Sequence, residues 1–250
     1  KDKVCPECGA QKHVIGKRVT EQLEYAPASL FILDHIQPVY ACRCCQQGVS
    51  MAAKPAQPIE KGLAGPGLLA QVVVSKYADH LPLYRQERIF ARLGAEISRK
   101  TMCGWVLSSA RSLEPVVALM KERVLESKAL HTDDTPVNVR GPGGNYQGRF
   151  WVYLGDGEHP YTVYDFTPDR RRDGPAEFLR TFTGTDEKPR YLQADAFGGY
   201  DGIYAAGNGV IEVACWAHAR RKFHDARTSD VNRAYQMLAW IKRLYEIERD

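Results

Sequence analysis

Five of the seven cysteines fall within the first 45 residues, at Cys5, Cys8, Cys42, Cys44 and Cys45. Two thiolates separated by two residues can hold one metal ion from a tight turn, and Gly9, directly after Cys5-Pro6-Glu7-Cys8, supplies the backbone freedom such a turn needs. Cys42 and Cys45 repeat the spacing. Four sulfurs from two such pairs close a tetrahedral structural zinc site that leaves no position open for chemistry. One pair by itself would suit a thioredoxin-like redox centre equally well, but two correctly spaced pairs favour zinc. Cys44 can replace a neighbour as ligand, yet keeping the two-residue spacing on both sides selects Cys42 and Cys45. Cys103 and Cys215 stand alone and read as small buried apolar residues.

A second chemistry is carried by acids in strand-like surroundings. Asp133 lies within L-H-T-D-D-T-P-V, and Asp195 ends the run Y-L-Q-A-D. Taken singly, each reads as readily as a turn or cap residue. An ionised carboxylate in or at the end of an apolar strand is costly unless it is paired or binds a cation, and two of them across adjacent strands would repel. A divalent ion removes that conflict. Mg²⁺ takes a few carboxylates and leaves its other positions to water and phosphate oxygens, which is the setting for two-metal phosphoryl transfer. Alternation puts Leu130, Thr132 and Asp134 on one face of the strand and His131, Asp133 and Thr135 on the other, so only one of the two aspartates can face such a site. Alternation does not say which.

Basic residues supply the third pattern. Between Tyr84 and Arg111 six basic side chains outnumber two acidic ones. Leu83 to Arg92 reads as a helix, Leu93-Gly94 as a turn, and Ser98 as the N-cap of a further helix through Leu107. That is helix-turn-helix spacing, in which the second helix enters the major groove N-terminus first, so Arg99 and Lys100 are the candidates for DNA contact. A small helical spacer with a solvated basic face fits the same pattern. Arg220, Arg221 and Lys222, in C-W-A-H-A-R-R-K-F, suit a phosphate backbone. Arg170 to Arg172 read equally as phosphate-gripping or as a solvated loop, and His218, three residues after Cys215, reads as a second metal ligand or, more readily, as a polar contact at a helix start. There is no G-x-S-x-G elbow, no H-E-x-x-H and no phosphate-cradling Gly-Lys-Ser/Thr loop, which removes the commonest hydrolase, metalloprotease and NTPase readings.

These residues must be held by several domains. The 250 residues are 44% apolar and 26% charged, with a net charge of +4. This is average globular composition, ample for a buried core. The charge is unevenly spread: residues 128 to 214 carry net −4, between basic arms. Residues 1–50 read as a zinc ribbon, with Tyr25, Leu30, Phe31, Leu33, Ile36, Val39 and Tyr40 as strand material. Residues 51–66 read as a Pro/Gly/Ala-rich linker, and 67–127 as a helical helix-turn-helix-like segment whose last helix runs from Leu113 to Ser127. From 128 to 250 the period turns extended. Strands are expected over Leu130 to Val139, Arg149 to Leu154, Tyr161 to Phe166, Tyr191 to Ala194 and Val210 to Cys215, with a helix from Gly174 to Phe182 after the third. Three meander strands followed by helix-alternating strands is the order of an RNase H-like mixed sheet, so the expected class is a multidomain α+β/α/β chain. No apolar run is long enough to span a membrane and no signal peptide opens the chain, which reads as cytoplasmic. It begins at Lys1 and stops at Asp250 within a helical pattern, and reads as a piece of something longer.

Over roughly residues 5 to 224 the sequence resembles the TnpC-type DDE transposases of the insertion-sequence-sixty-six group. The matching stretches are C-P-E-C-G with Y-A-C-R-C-C, S-K-Y-A-D-H-L-P-L-Y-R-Q-E, H-T-D-D-T-P-V, G-R-F-W-V-Y, Y-L-Q-A-D-A-F-G-G-Y-D and C-W-A-H-A-R-R-K-F. The resemblance implies structural zinc, catalytic Mg²⁺, DNA (transposon ends and target) as partner, and a homo-oligomer that brings two ends together. The family usually reads D-E-T-P where this chain has D-D-T-P, so by resemblance Asp133 matches the first catalytic acid and Asp195 the second. The family's third acid is a Glu on a helix well past the C-W-x-H-x-R-R motif. Of the late glutamates here, Glu246 and Glu248, the latter continues the stripe of Leu238, Ile241 and Tyr245, but neither sits in such a motif, so the RNase H-like domain is expected to be incomplete. Two other functions fit the same residues: a non-catalytic zinc and helix-turn-helix DNA-binding protein, and a structure-selective nuclease.

Overall fold

A computed structural model of the chain describes residues 5–11, 17, 20–23, 29–41, 49–60 and 62–247. The chain divides into two compact units, Lys1–Ser108 and Ser109–Asp250.

In the first unit, Cys5 to Cys8 form a turn closed by Gly9 N–H donating to Cys5 O at 3.0 Å, with Gly9 at φ +71°. Two short strands, β1 (Val39–Tyr40) and β2 (Ser50–Met51), pair antiparallel. Of the apolar residues expected to build ribbon strands, only Val39 and Tyr40 are in one; Leu30, Phe31, Leu33 and Ile36 are exposed coil, and Tyr25 lies outside the described residues. Helix α1 (Pro66–Tyr77) starts on a proline, whose fixed φ and missing N–H suit a first turn. Pro82 then opens α2 (Leu83–Arg92). Gly94, at φ +84°, makes the turn that a residue with a Cβ would resist. Ser98 Oγ accepts the Thr101 N–H at 3.1 Å and so caps α3 (Arg99–Val124). Leu69, Val72, Phe90, Ile97, Met102 and Trp105 close one small core. Buried Gln86 donates from Nε2 to the carbonyls of Val72 (3.3 Å) and Leu81 (3.0 Å), so its amide joins α1 to α2.

The sequence suggested separate helices on either side of residues 108 to 112. They are one: α3 runs unbroken through that stretch and carries Pro115 inside it. Nothing between 107 and 113 is a Gly or Pro that would stop a helix, and Pro115 removes one hydrogen bond without ending it.

The second unit is a five-stranded mixed sheet of β3 (Ala129–Gly141), β4 (Gly144–Leu154), β5 (Thr162–Thr167), β6 (Arg190–Ala194) and β7 (Val210–Ala214), in the order β5-β4-β3-β6-β7. The first three strands are antiparallel neighbours, and β6 and β7 run parallel to β3. The meander and its two parallel additions were both expected from the sequence. The helices are α4 (Asp173–Phe178), α5 (Asp201–Tyr204), α6 (Trp216–Asp225) and α7 (Val231–Ile247), with a 3₁₀ turn at Ala226–Thr228. Helix α4 stops four residues earlier than expected, but Phe182 is still fully buried. One face of the sheet carries the core: Leu130, Trp151, Tyr153, Val163, Leu192 and Val210 pack with Phe178, Phe182 and Tyr200. On the other face Phe150, Tyr164, Phe166 and Ile211 are exposed. Among the described residues no helix is long and apolar enough to cross a membrane.

Candidate active site

Strand β3 splits its two aspartates as its pleat requires. Asp134 follows Leu130 and Thr132 onto the core face and its side chain is 2% exposed; Asp133 faces the other way and is 51% exposed. A carboxylate as buried as Asp134 demands compensation, and it has two guanidiniums. Arg149 Nη1 donates to Oδ2 at 2.9 Å. Arg149 sits on β4 two residues before Trp151, the cross-strand partner of Asp134, and so on the same face. Arg170 donates to Oδ1 from Nε at 2.9 Å, and its Nη2 lies in ion-pair contact with the same oxygen at 2.7 Å.

The same Nη2 also reaches Asp195 Oδ2 at 2.9 Å. Asp195 directly follows β6, is 20% exposed, and accepts the Phe197 N–H on Oδ1 at 3.2 Å. Two carboxylates and two guanidiniums therefore form one charge-balanced cluster. Burial opposes the charge on Arg170, but its bonds to Asp134 and Asp195 outweigh this and raise its pKa further.

Arg170 is firmly mounted. Trp151 Nε1 donates to Thr167 Oγ1 at 2.7 Å, and that hydroxyl donates to Asp169 O at 2.6 Å, which fixes the residue just before Arg170. Gly174, at the start of α4, packs so closely that a Cβ there would lie 2.6 Å from Thr167 Cγ2. The guanidinium lies over the Phe197 ring at 4.2 Å.

Asp133 takes no part in this cluster. Its Oδ1 is 3.7 Å from His218 Nε2 on α6, and the Nδ1 of that histidine is buried without a hydrogen-bond partner among the described residues. The parallel register of β3 with β6 pairs His131 with Gln193, and continuing it by two residues sets Asp133 level with Asp195. Among the described residues no three His, Cys, Asp or Glu side chains converge as a metal-binding group. Glu246 is on α7, 3.8 Å from Lys242 Nζ, and Glu248 lies outside the described residues.

The donor sets fit metals in two different ways. At the cysteine turn, the backbone N–H groups of Glu7 and Cys8 point to the Cys5 sulfur and hold its pKa below the ordinary thiol range, which favours the thiolate that zinc requires. Cys42, Cys44 and Cys45 lie outside the described residues. At the sheet, Asp133 is exposed enough to meet a hydrated ion, as Mg²⁺ demands, whereas Asp195 is 20% exposed and already pairs with Arg170, and both oxygens of Asp134 are bonded to arginines.

The basic candidates are on the surface. Arg99 and Lys100 are exposed at the start of α3, where the Arg99 N–H donates to Glu87 Oε1 at 2.9 Å. Arg220, Arg221 and Lys222 are exposed on α6, and among the described residues no ion pair occupies them. Arg149 was not singled out from the sequence, and Arg170 was weighed only with Arg171 and Arg172 as phosphate-gripping or solvated loop, not as a partner of the acids. Arg149 had a readable signal, a charge in step with the inward residues Trp151 and Tyr153. Arg170 had none that distinguished it from Arg171, which pairs with Asp169 at 3.2 Å on the exposed surface.

Residues 61–250 match the family described as "Transposase IS66 family", and residues 2–46 match "zinc-finger binding domain of transposase IS66". Among curated proteins, the uncharacterized protein y4qI of Sinorhizobium fredii is 35% identical over 240 residues, covering 90% of this chain and 43% of that protein. The uncharacterized protein y4jD of the same organism is 31% identical over 262 residues, covering 99% of this chain and 50% of that one. The chain thus spans half or less of these relatives' length. Of solved structures, a simian T-cell lymphotropic virus intasome in complex with a PP2A regulatory subunit gives a TM-score of 0.25 at 7% identity, covering 45% of this chain and 46% of that one. Nothing about this chain rests on so slight a likeness.

Proposed function

Since the chain belongs to the IS66 family of transposases, we propose that it is the DNA-cutting and DNA-joining part of a DDE-type transposase. In this reading the sheet is RNase H-like, and Asp133 and Asp195 hold the catalytic metal. Mg²⁺ bound there would activate a water or a 3′-hydroxyl and stabilise the leaving oxygen. The observation that supports the reading is the strand order β5-β4-β3-β6-β7, whose parallel β3–β6 pairing ends at His131–Gln193 and, continued by two residues, would set Asp133 level with Asp195. One carboxylate on a strand and another directly after its parallel neighbour is what such chemistry needs.

The roles of the remaining residues follow from their surroundings. Asp134 is a structural acid: with both oxygens engaged by arginines it has nothing left to offer an ion. His218 stands beside Asp133 and orients that carboxylate. Arg220, Arg221 and Lys222 on α6 grip phosphates, and Arg99 and Lys100 meet DNA from the first turn of α3. Cys5, Cys8, Cys42 and Cys45 hold structural zinc in a domain over residues 1–50, joined by residues 51–66 to a helical DNA-binding segment over 67–127 and a catalytic domain over 128–250. The active form is a dimer or larger assembly, because two transposon ends have to meet.

The test is Mg²⁺-dependent strand transfer by the full-length protein on a transposon-end duplex. Asp195→Asn and Asp133→Asn are each expected to lower the rate by about a thousandfold, the equivalent of several kcal/mol of lost metal stabilisation. Asp134→Asn should act mainly on stability. Strand transfer surviving Asp195→Asn would overturn the reading. Tight, salt-dependent DNA binding with no cleavage in any form would favour a non-catalytic binding protein instead.

A further inference from the structure

We infer that Arg170 is an internal latch on Asp195: in the metal-free protein its guanidinium supplies the positive charge that a divalent ion would otherwise bring, and it releases Asp195 when that carboxylate joins Asp133 on the ion. The inference rests on the reading of Asp133 and Asp195 as metal ligands.

Charge is the first argument. Asp134 and Asp195 against Arg149 and Arg170 sum to zero. With Asp133 also on the ion, a dication added to that balanced cluster would leave one uncompensated positive charge beside a side chain almost wholly removed from water, and such an excess is costly. Letting go of Asp195 moves one negative charge to the ion and frees a guanidinium N–H for a phosphate oxygen, so the excess shrinks as nucleic acid arrives.

The bonding is the second. Arg170 holds Asp134 with an Nε hydrogen bond and an Nη2 ion-pair contact at 2.7 Å, but reaches Asp195 through that Nη2 alone. Its grip on Asp195 is the weaker half. That half can open while Asp134 keeps both of its arginines, so release does not strand a buried charge.

The mounting is the third. The Thr167 hydroxyl bond to Asp169 O fixes the start of the loop, and the Phe197 ring lies against the guanidinium at 4.2 Å. Phe197 is also the residue whose N–H holds the other oxygen of Asp195. The ring that steadies the latch and the acid being latched therefore come from the same turn. Among the described residues, Arg171 next to it pairs with exposed Asp169 and has no such seat.

The experiment titrates Mn²⁺, followed by electron paramagnetic resonance, into the zinc-loaded full chain and its variants, so that the cysteine site is already filled. Arg170→Gln is expected to tighten Mn²⁺ binding about tenfold, the worth of one charge-assisted hydrogen bond. Phe197→Leu, which removes the ring but no charge, is expected to tighten it about threefold, the worth of a cation–π contact. Circular dichroism reports whether each variant is folded, and Phe197→Leu decides the matter if Arg170→Gln is not. Asp195→Asn should abolish the tight binding in every background. Unchanged or weaker Mn²⁺ binding in the latch variants, with Asp195→Asn still abolishing it, overturns the latch and leaves the metal-ligand reading standing. Binding indifferent to Asp195→Asn overturns that reading itself.

Discussion

The Cys5–Cys8 turn and the Asp134–Asp195 cluster both gather negative side chains, and they contain the resulting repulsion by different means. In the turn, four consecutive residues place two thiols together, and backbone N–H groups stabilise the Cys5 thiolate. In the sheet, the acids come from β3 and the end of β6, and arginines from β4 and the β5–α4 loop neutralise them. The first arrangement is local and, among the described residues, Cys5 is half-buried and Pro6 to Cys8 are exposed, so on the proposed zinc reading it would depend on the metal for folding. The second is assembled by a core that folds regardless and therefore carries its own counter-ions. On the proposed reading, an acid with an internal counter-ion can exist without metal, at the cost of having to give that counter-ion up when metal binds.

The largest effect that would test this contrast is removal of zinc. Chelation, or Cys5→Ser with Cys8→Ser, should expose residues 1 to 50 to complete proteolysis while the fragment containing the sheet survives, as limited digestion read by mass spectrometry would report. Loss of the sheet at the same chelator concentration would break the comparison. Next comes Arg149→Met, which leaves Asp134 on β3 with Arg170 alone. Breaking a buried pair of this kind costs about 3 kcal/mol, measurable by urea denaturation, and replacing Asp134 by Leu in the same chain should recover part of it.

Asp156 tests the same principle with a milder effect. Its Oδ2 accepts the Lys128 N–H at 2.7 Å, 28 residues away in sequence, and its Oδ1 accepts His159 N–H at 3.0 Å, so it fastens the β4–β5 loop to the start of β3. Burial works against its charge, but the N–H donors of Lys128, His159 and Ala129 prevail and hold its pKa below the ordinary 3.8. A depressed folded pKa means stability that is present above the unfolded value and disappears as pH falls through the folded one. Asp156→Asn should thus cost about 2 kcal/mol at neutral pH. The gap from wild type should begin to close as pH drops below about 4, which thermal melts across that range would show. The smallest effect belongs to a local device in the first unit: Ser98→Ala removes the α3 cap and should cost about 1 kcal/mol by the same melts.

Much of the fold was legible because it rests on short-range patterns. Helix α2 could be read at both ends because Pro82 and Leu93-Gly94 bracket it, and Ser98 announced its capping role by type and position. The five strands stood out because Gly-rich turns and alternation are local signals. The single helix across residues 108 to 112 was less visible, since a stretch without breakers can either continue a helix or leave it. The candidate site was legible only in halves. Asp133, Asp134 and Asp195 were conspicuous as acids among apolar residues, but Arg170 sat in a run of three arginines that read equally as phosphate-gripping or as solvated loop.

The sequence by itself determined the cysteine turn, the alternation that puts Asp133 and Asp134 on opposite faces, and the family to which the chain belongs. Each depends on spacing along the backbone, which the peptide geometry converts directly into direction. Tertiary structure alone decided which aspartate is buried, which arginines answer it, and that Asp195 is tied to Asp134 through Arg170 rather than standing free. Those choices depend on which face of the sheet is covered, and hence on where a charge loses its water and has to find a partner.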